Sequence, residues 1–171
     1  RIYEVVEVRE NSRSRTPQYI NSERKRIAGA HAVDLERVRA QSGIKERTAA
    51  GLKRSGRHIA QMQQIFRDRS LPIELTYLPI VESSYDINAQ SNVGALGMWQ
   101  FMRATGRQYM RVDRSIDERR DPIESTRAAA AFLQQSYETL GNWPLAITAY
   151  NYGPGGMSRA VAAIESDNLV D

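Results

Sequence analysis

The 171 residues suffice for one domain with a real core, and a composition of 41% apolar and 26% charged residues excludes a disordered polyelectrolyte. The absence of cysteine rules out a disulfide scaffold, a Cys nucleophile and thiolate metal sites, and no apolar run approaches the roughly 18 residues that a membrane-spanning helix needs. The net charge of +4 hides an asymmetry: residues 1–70 hold 16 Lys and Arg against 8 Asp and Glu, the remainder 8 against 12. A basic amino-terminal portion suits solvated helix faces or a polyanionic partner.

The chain begins at Arg1, so it reads as processed or trimmed, with any signal peptide or lipid anchor outside it. Residues 2–8, β-branched and aromatic, suggest a short strand or extended arm, and NSRSRTPQ a loop. A helix is expected from Ser22 to about Gln41, ended by Ser42-Gly43. A second is expected over Lys45 to Arg69, with Leu52, Ile59, Met62 and Phe66 forming one apolar stripe. His58 lies beside that stripe and His31 has no metal-spaced partner, so no metal site is expected.

Leu71-Pro72 opens the next expected helix, with Pro79 inside it as a kink just before Glu82. A polar loop, DINAQSNVGALG, leads to a further helix from Trp99 to about Met110. Asp121-Pro122-Ile123-Glu124 offers an acidic cap, a proline at the first helical position and a Glu in capping-box position, starting a helix that ends at Gly141. Trp143-Pro144 begins another, closed by Gly153-Pro154-Gly155-Gly156, and a last helix covers roughly Met157 to Ile164. The expected class is all-α with short connections and no internal repeat.

Glu82 is the most informative single residue. It ends an apolar segment, shares a helix face with Leu78 and Pro79, and is followed by Ser83, Ser84 and Tyr85. Burial and the negative end of a helix dipole both raise a carboxyl pKa, and an acid still protonated near neutrality can protonate the leaving oxygen of a glycosidic bond. Glycosidases commonly pair two carboxyls; the nearby second candidate, Asp86, sits in the polar loop, where local hydrogen bonding is its most economical role.

Three ordered motifs accompany that acid: Glu82–Tyr85 (E-S-x-[FY]), Gly97–Gln100 (G-x-x-Q) and Ala149–Pro154 (A-Y-N-x-G-P). With DPIESTRAAAAFL and the Leu71–Val81 segment, they resemble the lytic transglycosylases of the goose-type-lysozyme-like class, and among these the membrane-bound type D enzymes. The resemblance covers roughly residues 45–171 and implies a lysozyme-like catalytic domain there, with residues 1–44 as an amino-terminal extension. It implies Glu82 as the single catalytic acid and base. Ser83 and Gln100 match positions that contact or orient sugar and N-acetyl groups, and Tyr150 and Asn151 match cleft-lining residues near the acid. The implied substrate is peptidoglycan, cut between N-acetylmuramic acid and N-acetylglucosamine to leave 1,6-anhydro ends, with no metal or cofactor. The implied location is the bacterial periplasm or envelope, with membrane attachment only through segments not present here.

Two positions depart from the family pattern. Arg103 replaces a proline after Gln100-Phe101-Met102, and the pattern continues past Asp171 into a helical segment that supplies a further cleft tyrosine, so the expectation is either that this part is cut away or disordered, or that the cleft is incomplete. Tyr150 is expected to face the groove and Trp99 to belong to the core. Two alternatives stay open: a lysozyme-type hydrolase that uses water, and a non-catalytic module whose basic amino-terminal helices dock on nucleic acid or a membrane partner. The second accounts for the charge asymmetry but leaves the ordered motifs unexplained, and no nucleic-acid partner is expected on the transglycosylase reading.

Overall fold

Proline, glycine and short polar caps divide this chain into helices. The computed structural model describes residues 45–164 and, ahead of them, Asn21, Ser22, Lys25, Arg26 and Gly29. The chain forms two compact units, Arg1–Ile44 and Lys45–Asp171. In the first, the five described residues are helical and exposed; the arm expected at 2–8, the loop after it and most of the helix expected from Ser22 lie outside the described residues.

The second unit contains seven α-helices among the described residues: α1 (Lys45–Ser55), α2 (Ile59–Asp68), α3 (Pro79–Glu82), α4 (Arg103–Tyr109), α5 (Pro122–Leu140), α6 (Trp143–Tyr152) and α7 (Pro154–Ile164). Short 3-10 turns cover Ile73–Tyr77 and Glu118–Arg120. Strand-like pairing among the described residues is limited to isolated antiparallel bridges, including Leu96 with Gln90 and with Phe101. The all-α class expected from the sequence is the class observed.

Caps with local chemistry fall where expected. The Asp121 carboxylate accepts from the backbone N–H groups of Ile123 and Glu124, both at 2.8 Å, and Pro122 takes the first helical position, where its missing donor costs nothing. Gly141 ends α5 in the left-handed region at φ 80°. Asn142 Oδ1 then accepts from Leu145 N at 2.9 Å and starts α6.

Four boundaries differ from expectation. The helix expected over 45–69 breaks at Gly56–His58, and Leu52 is 55% exposed, so the stripe is confined to α2, where Met62 and Phe66 are fully buried. Pro79 does not kink a helix from within. It opens α3, because a residue with no N–H is best placed in a first turn. Trp99 and Gln100 lie in a turn, so α4 begins at Arg103. Gly153, at φ 81°, carries the whole break after α6, and Pro154, Gly155 and Gly156 belong to α7.

The core is built around α5. Its small residues Ala128, Ala129 and Ala130 let neighbours approach closely, and Phe132 and Leu133 fill the remaining space against Met62 and Phe66 of α2. Trp99, from the loop before α4, is fully buried with its ring stacked on Phe66 at 6.0 Å between centroids. A buried indole N–H needs an acceptor, and Thr126 Oγ1 of α5 provides it at 2.9 Å. A second cluster, Leu145, Ala149 and Met157, seals α6 against α7.

The Trp99–Thr126 bond gives a direct test of how this loop is anchored. Thr126→Val keeps the shape but leaves the indole N–H unpartnered, and should lower unfolding free energy by about 1–3 kcal/mol. Urea denaturation should show a lower midpoint with an unchanged slope.

Candidate active site

Glu82 is the last residue of the single-turn α3 and is half buried. Burial pushes its carboxyl above its ordinary value of 4.5, partly offset by a hydrogen bond from the Asn151 side chain that favours the charged form. A helix of four residues has little dipole to contribute, so burial is the principal cause.

The chain turns away sharply behind the acid. Ser84 and Tyr85 both occupy the left-handed region, at φ 55° and 57°, which costs a non-glycine residue on the order of 1–2 kcal/mol. Tertiary contacts hold them there. Arg54 Nε of α1 donates to Ser84 O at 2.9 Å, and Tyr85 donates its buried hydroxyl to Thr76 O at 2.8 Å. Gly51 admits this kink: a Cβ there would lie 2.9 Å from both Ser84 Cβ and Ile80 Cδ1.

The facing wall is the turn Gly97–Gln100, closed by Gln100 N donating to Gly97 O at 3.1 Å. Three successive carbonyls in it are bound by different parts of the molecule. Gly97 O also accepts from Gln100 Nε2 at 2.9 Å, Met98 O accepts from Ser83 Oγ at 2.7 Å, and Trp99 O accepts from the Tyr150 hydroxyl at 2.8 Å. The turn thereby joins the residue after the acid to α6. Gly97 is required for two reasons, a φ of 80° and a Cβ position only 1.8 Å from Arg119 O.

From the other side, α6 brings Tyr150 and Asn151. The Tyr150 ring packs edge-on to Phe132 at 5.4 Å, and burial, followed by the nearby Glu82 charge, raises its hydroxyl well above the ordinary value. Asn151 is exposed and reaches the Glu82 carboxyl. Glu82, Tyr150 and Asn151 therefore meet at one place, with Ser83 and Gln100 tied to it through the turn. Ser83 is 2% exposed; besides donating to Met98 O, its hydroxyl accepts from Asp86 N at 3.2 Å, so it fastens the wall instead of presenting a free hydroxyl. Gln100 uses its amide nitrogen on Gly97 O and Ala89 O, which leaves Oε1 without a hydrogen bond among the described residues.

The remaining positions of interest are occupied locally. Asp86 Oδ1 accepts from Asn88 N at 2.9 Å, an Asx-type loop contact. Arg103 is directed at another loop, donating to Asp113 O at 2.7 Å and lying 3.7 Å from the Asp117 carboxylate. His58 precedes α2 and its backbone carbonyl accepts from Met62 N. Among the described residues, no group of three or more His, Asp or Glu side chains could share a metal ion.

Sequence reasoning missed Arg119. It is 5% exposed, donates from Nη1 to Gly94 O at 3.1 Å and Phe101 O at 3.0 Å, and grips Asp117 in two-pronged fashion at 2.9 and 2.7 Å. The guanidinium holds the Asp117 carboxyl below its usual range. In the run Asp117-Glu118-Arg119-Arg120-Asp121, no local signal separates the one buried cation from its solvated neighbours.

Two glycines separate backbone strain from collision in this wall. At Gly94, φ is 90° but a Cβ would meet no atom within 4 Å, whereas at Gly97 it would strike Arg119 O. Gly94→Ala should cost about 1–2 kcal/mol and Gly97→Ala about 3 kcal/mol or more, an order that equilibrium denaturation of the two variants would check.

Comparison with known proteins identifies the family. Residues 61–168 match the transglycosylase SLT domain family. Membrane-bound lytic murein transglycosylase D of Escherichia coli K12 is 41% identical over 97 residues, covering 56% of this chain and 22% of that protein, and its counterpart in E. coli O6:H1 matches equally. A protein of Alteromonas sp. (strain M-1), named for tributyltin chloride resistance, is 37% identical over 100 residues, covering 57% of this chain and 48% of its own length. The matched stretch thus spans less than half of each of these curated relatives. A family match across more than half of the chain, on a lysozyme-like helical framework, settles the classification: the chain belongs to the transglycosylase SLT domain family.

Proposed function

We propose that residues 45–171 form a catalytic unit that cleaves the β-1,4 bond between N-acetylmuramic acid and N-acetylglucosamine in peptidoglycan, with Glu82 serving first as acid and then as base. The observation that carries this reading is a half-buried carboxyl with a raised pKa, touched by the Asn151 amide and standing across from the Gly97–Gln100 turn.

The reaction begins with Glu82 protonated. As the bond from C1 to the glycosidic oxygen breaks, the Glu82 proton passes to that oxygen and the N-acetylglucosamine side leaves as an alcohol. The carboxylate now stabilises the positive charge developing at C1. It then accepts the proton of the muramyl 6-hydroxyl as that oxygen bonds to C1, giving the 1,6-anhydro ring and restoring the acid. The sum consumes no water.

Each neighbour has a part suited to its chemistry. The Asn151 amide favours the carboxylate in the middle of the cycle, and the Gln100 Oε1 can accept from an N-acetyl N–H. Tyr150 and Ser83 act through the wall, holding the turn at fixed distance from the acid. Asp86 Oδ1 accepts from Asn88 N, a loop contact suited to a local structural role, and the reading takes internal attack by the 6-hydroxyl in place of a second carboxylate activating water. Residues 1–44 are an extension to this unit. The reading places the protein in the bacterial envelope; among the described residues no helix is long and apolar enough to cross a membrane.

Digestion of purified peptidoglycan followed by mass analysis tests the proposal. Products one water lighter than hydrolytic ones, carrying anhydro ends, are expected; water-added reducing ends would assign a lysozyme-type hydrolysis instead. Glu82→Gln should retain the fold and lose at least about 10²-fold in rate. Because the first step needs the protonated acid, kcat/KM should fall as pH rises through the elevated Glu82 value, beyond the range of an ordinary glutamate. Undiminished cleavage by the Gln variant would remove Glu82 from the mechanism.

A further inference from the structure

An open cleft of about 490 Å³ lies at the other end of α6 from Asn151, lined by Arg69, Pro72, Gln134, Tyr137, Glu138 and Trp143 among others. The eight-residue separation of Trp143 and Asn151 along one helix amounts to about 12 Å of rise, and Glu82, Gln100, Tyr150 and Asn151 are not among the residues that line this cleft.

Its construction is specific. The chain leaving α2 turns at Ser70, at φ 55°, with Leu71 N donating to Phe66 O at 2.9 Å, and this lays Leu71-Pro72 along one side. On the other side, Tyr137 and Trp143 stack on each other at 4.4 Å between centroids and 23° between planes, with Tyr137 38% exposed. Beside the aromatic pair runs a polar chain. Arg69 Nη1 donates to Gln134 Oε1 at 3.3 Å, and Gln134 Nε2 donates to Glu138 Oε1 at 3.1 Å. One end of the chain keeps spare guanidinium donors and the other a carboxylate oxygen.

A ligand suited to this cleft has an apolar face for the aromatic edge and neutral groups that both accept from Arg69 and donate to Glu138. A pyranose ring with hydroxyl and acetamido substituents meets both demands, because its C–H face packs on aromatic surface and its rim supplies donors and acceptors. A free anion or cation would satisfy one end and meet like charge at the other. We propose that this cleft is a second carbohydrate-binding site, taking an N-acetylated sugar of a glycan strand away from the cleavage groove. It would hold the strand without acting on it.

The two tryptophans make the site separately observable. Trp99 is fully buried with its N–H on Thr126, whereas Trp143 lines the cleft. The Glu82→Gln chain, labelled with nitrogen-15, would be titrated with the β-1,4-linked tetramer of N-acetylglucosamine, following the two indole N–H signals and the Asn151 side-chain amide. The Trp143 signal should move and saturate while Trp99 stays still. In a chain that also carries Gln134→Ala, Arg69 and Glu138 lose the partner that aligns them, and the affinity read at Trp143 should fall roughly fivefold or more with the Asn151 response unchanged. Cleavage of short soluble fragments by the Gln134→Ala chain with Glu82 intact should be unaltered. A Trp143 signal that stays still at saturating tetramer, or that responds equally with and without Gln134, would overturn the second site. Either result leaves the cleavage reading to be judged on Asn151 and on product analysis.

Discussion

The carbonyls of Gly97, Met98 and Trp99 are the point on which this structure turns. Each accepts a hydrogen bond from a different source: the turn's own Gln100, the serine after the acid, and the tyrosine of α6. Separated in sequence by up to 51 residues, these segments have no reason to meet without that turn. Buried backbone carbonyls must be satisfied, and here satisfying them also ties the residue after Glu82 and Tyr150 of α6 to one turn. Loss of the Ser83 or the Tyr150 hydroxyl would strand a carbonyl beside fully buried Met98 and Trp99, whereas Gly97 O would keep the Gln100 N–H.

Arg119 holds the same turn from behind, and its energetics are of a different kind. Burying a guanidinium is expensive, and its bidentate bond to Asp117, which keeps a quarter of its side chain in solvent, together with two carbonyl acceptors, offsets that expense. Such a pair adds little net stability over an apolar replacement, but removing one partner would leave an uncompensated charge, typically at about 3–5 kcal/mol. Its contribution is therefore geometric: the arginine's backbone closes on Gly97 and its side chain spans Gly94 to Phe101.

Features governed by local chemistry were legible in the sequence. The Asp121 cap, the Pro122 start and the Gly141 stop depend on a few adjacent residues, and they stand where composition placed them. Features enforced from a distance were not legible. Nothing local in Ser84, Tyr85 or Gln100 forecasts a left-handed backbone, which here follows from Arg54, Thr76 and the Gly97 turn. Pro154 looked like the end of a loop because glycines surround it, yet a proline is equally suited to a helix's first turn. The pairing of Glu82 with Asn151 came from an ordered family resemblance; no periodicity in the chain brings those two residues together.

The proposed chemistry depends on a carboxyl kept neutral by burial, a condition that works against folding. A glutamate whose native pKa is raised binds protons more readily folded than unfolded, so its contribution is intact below 4.5 and is lost as pH rises to the native value. That stability loss accompanies having an acid available at higher pH. The most direct measurement is an NMR titration of the Glu82 side-chain carboxyl carbon, assigned by its absence from the Glu82→Gln variant. A midpoint above 4.5, moving further upward in Asn151→Ala, is expected. A midpoint at or below 4.5, indifferent to Asn151, would contradict the assignment of Glu82 as the acid.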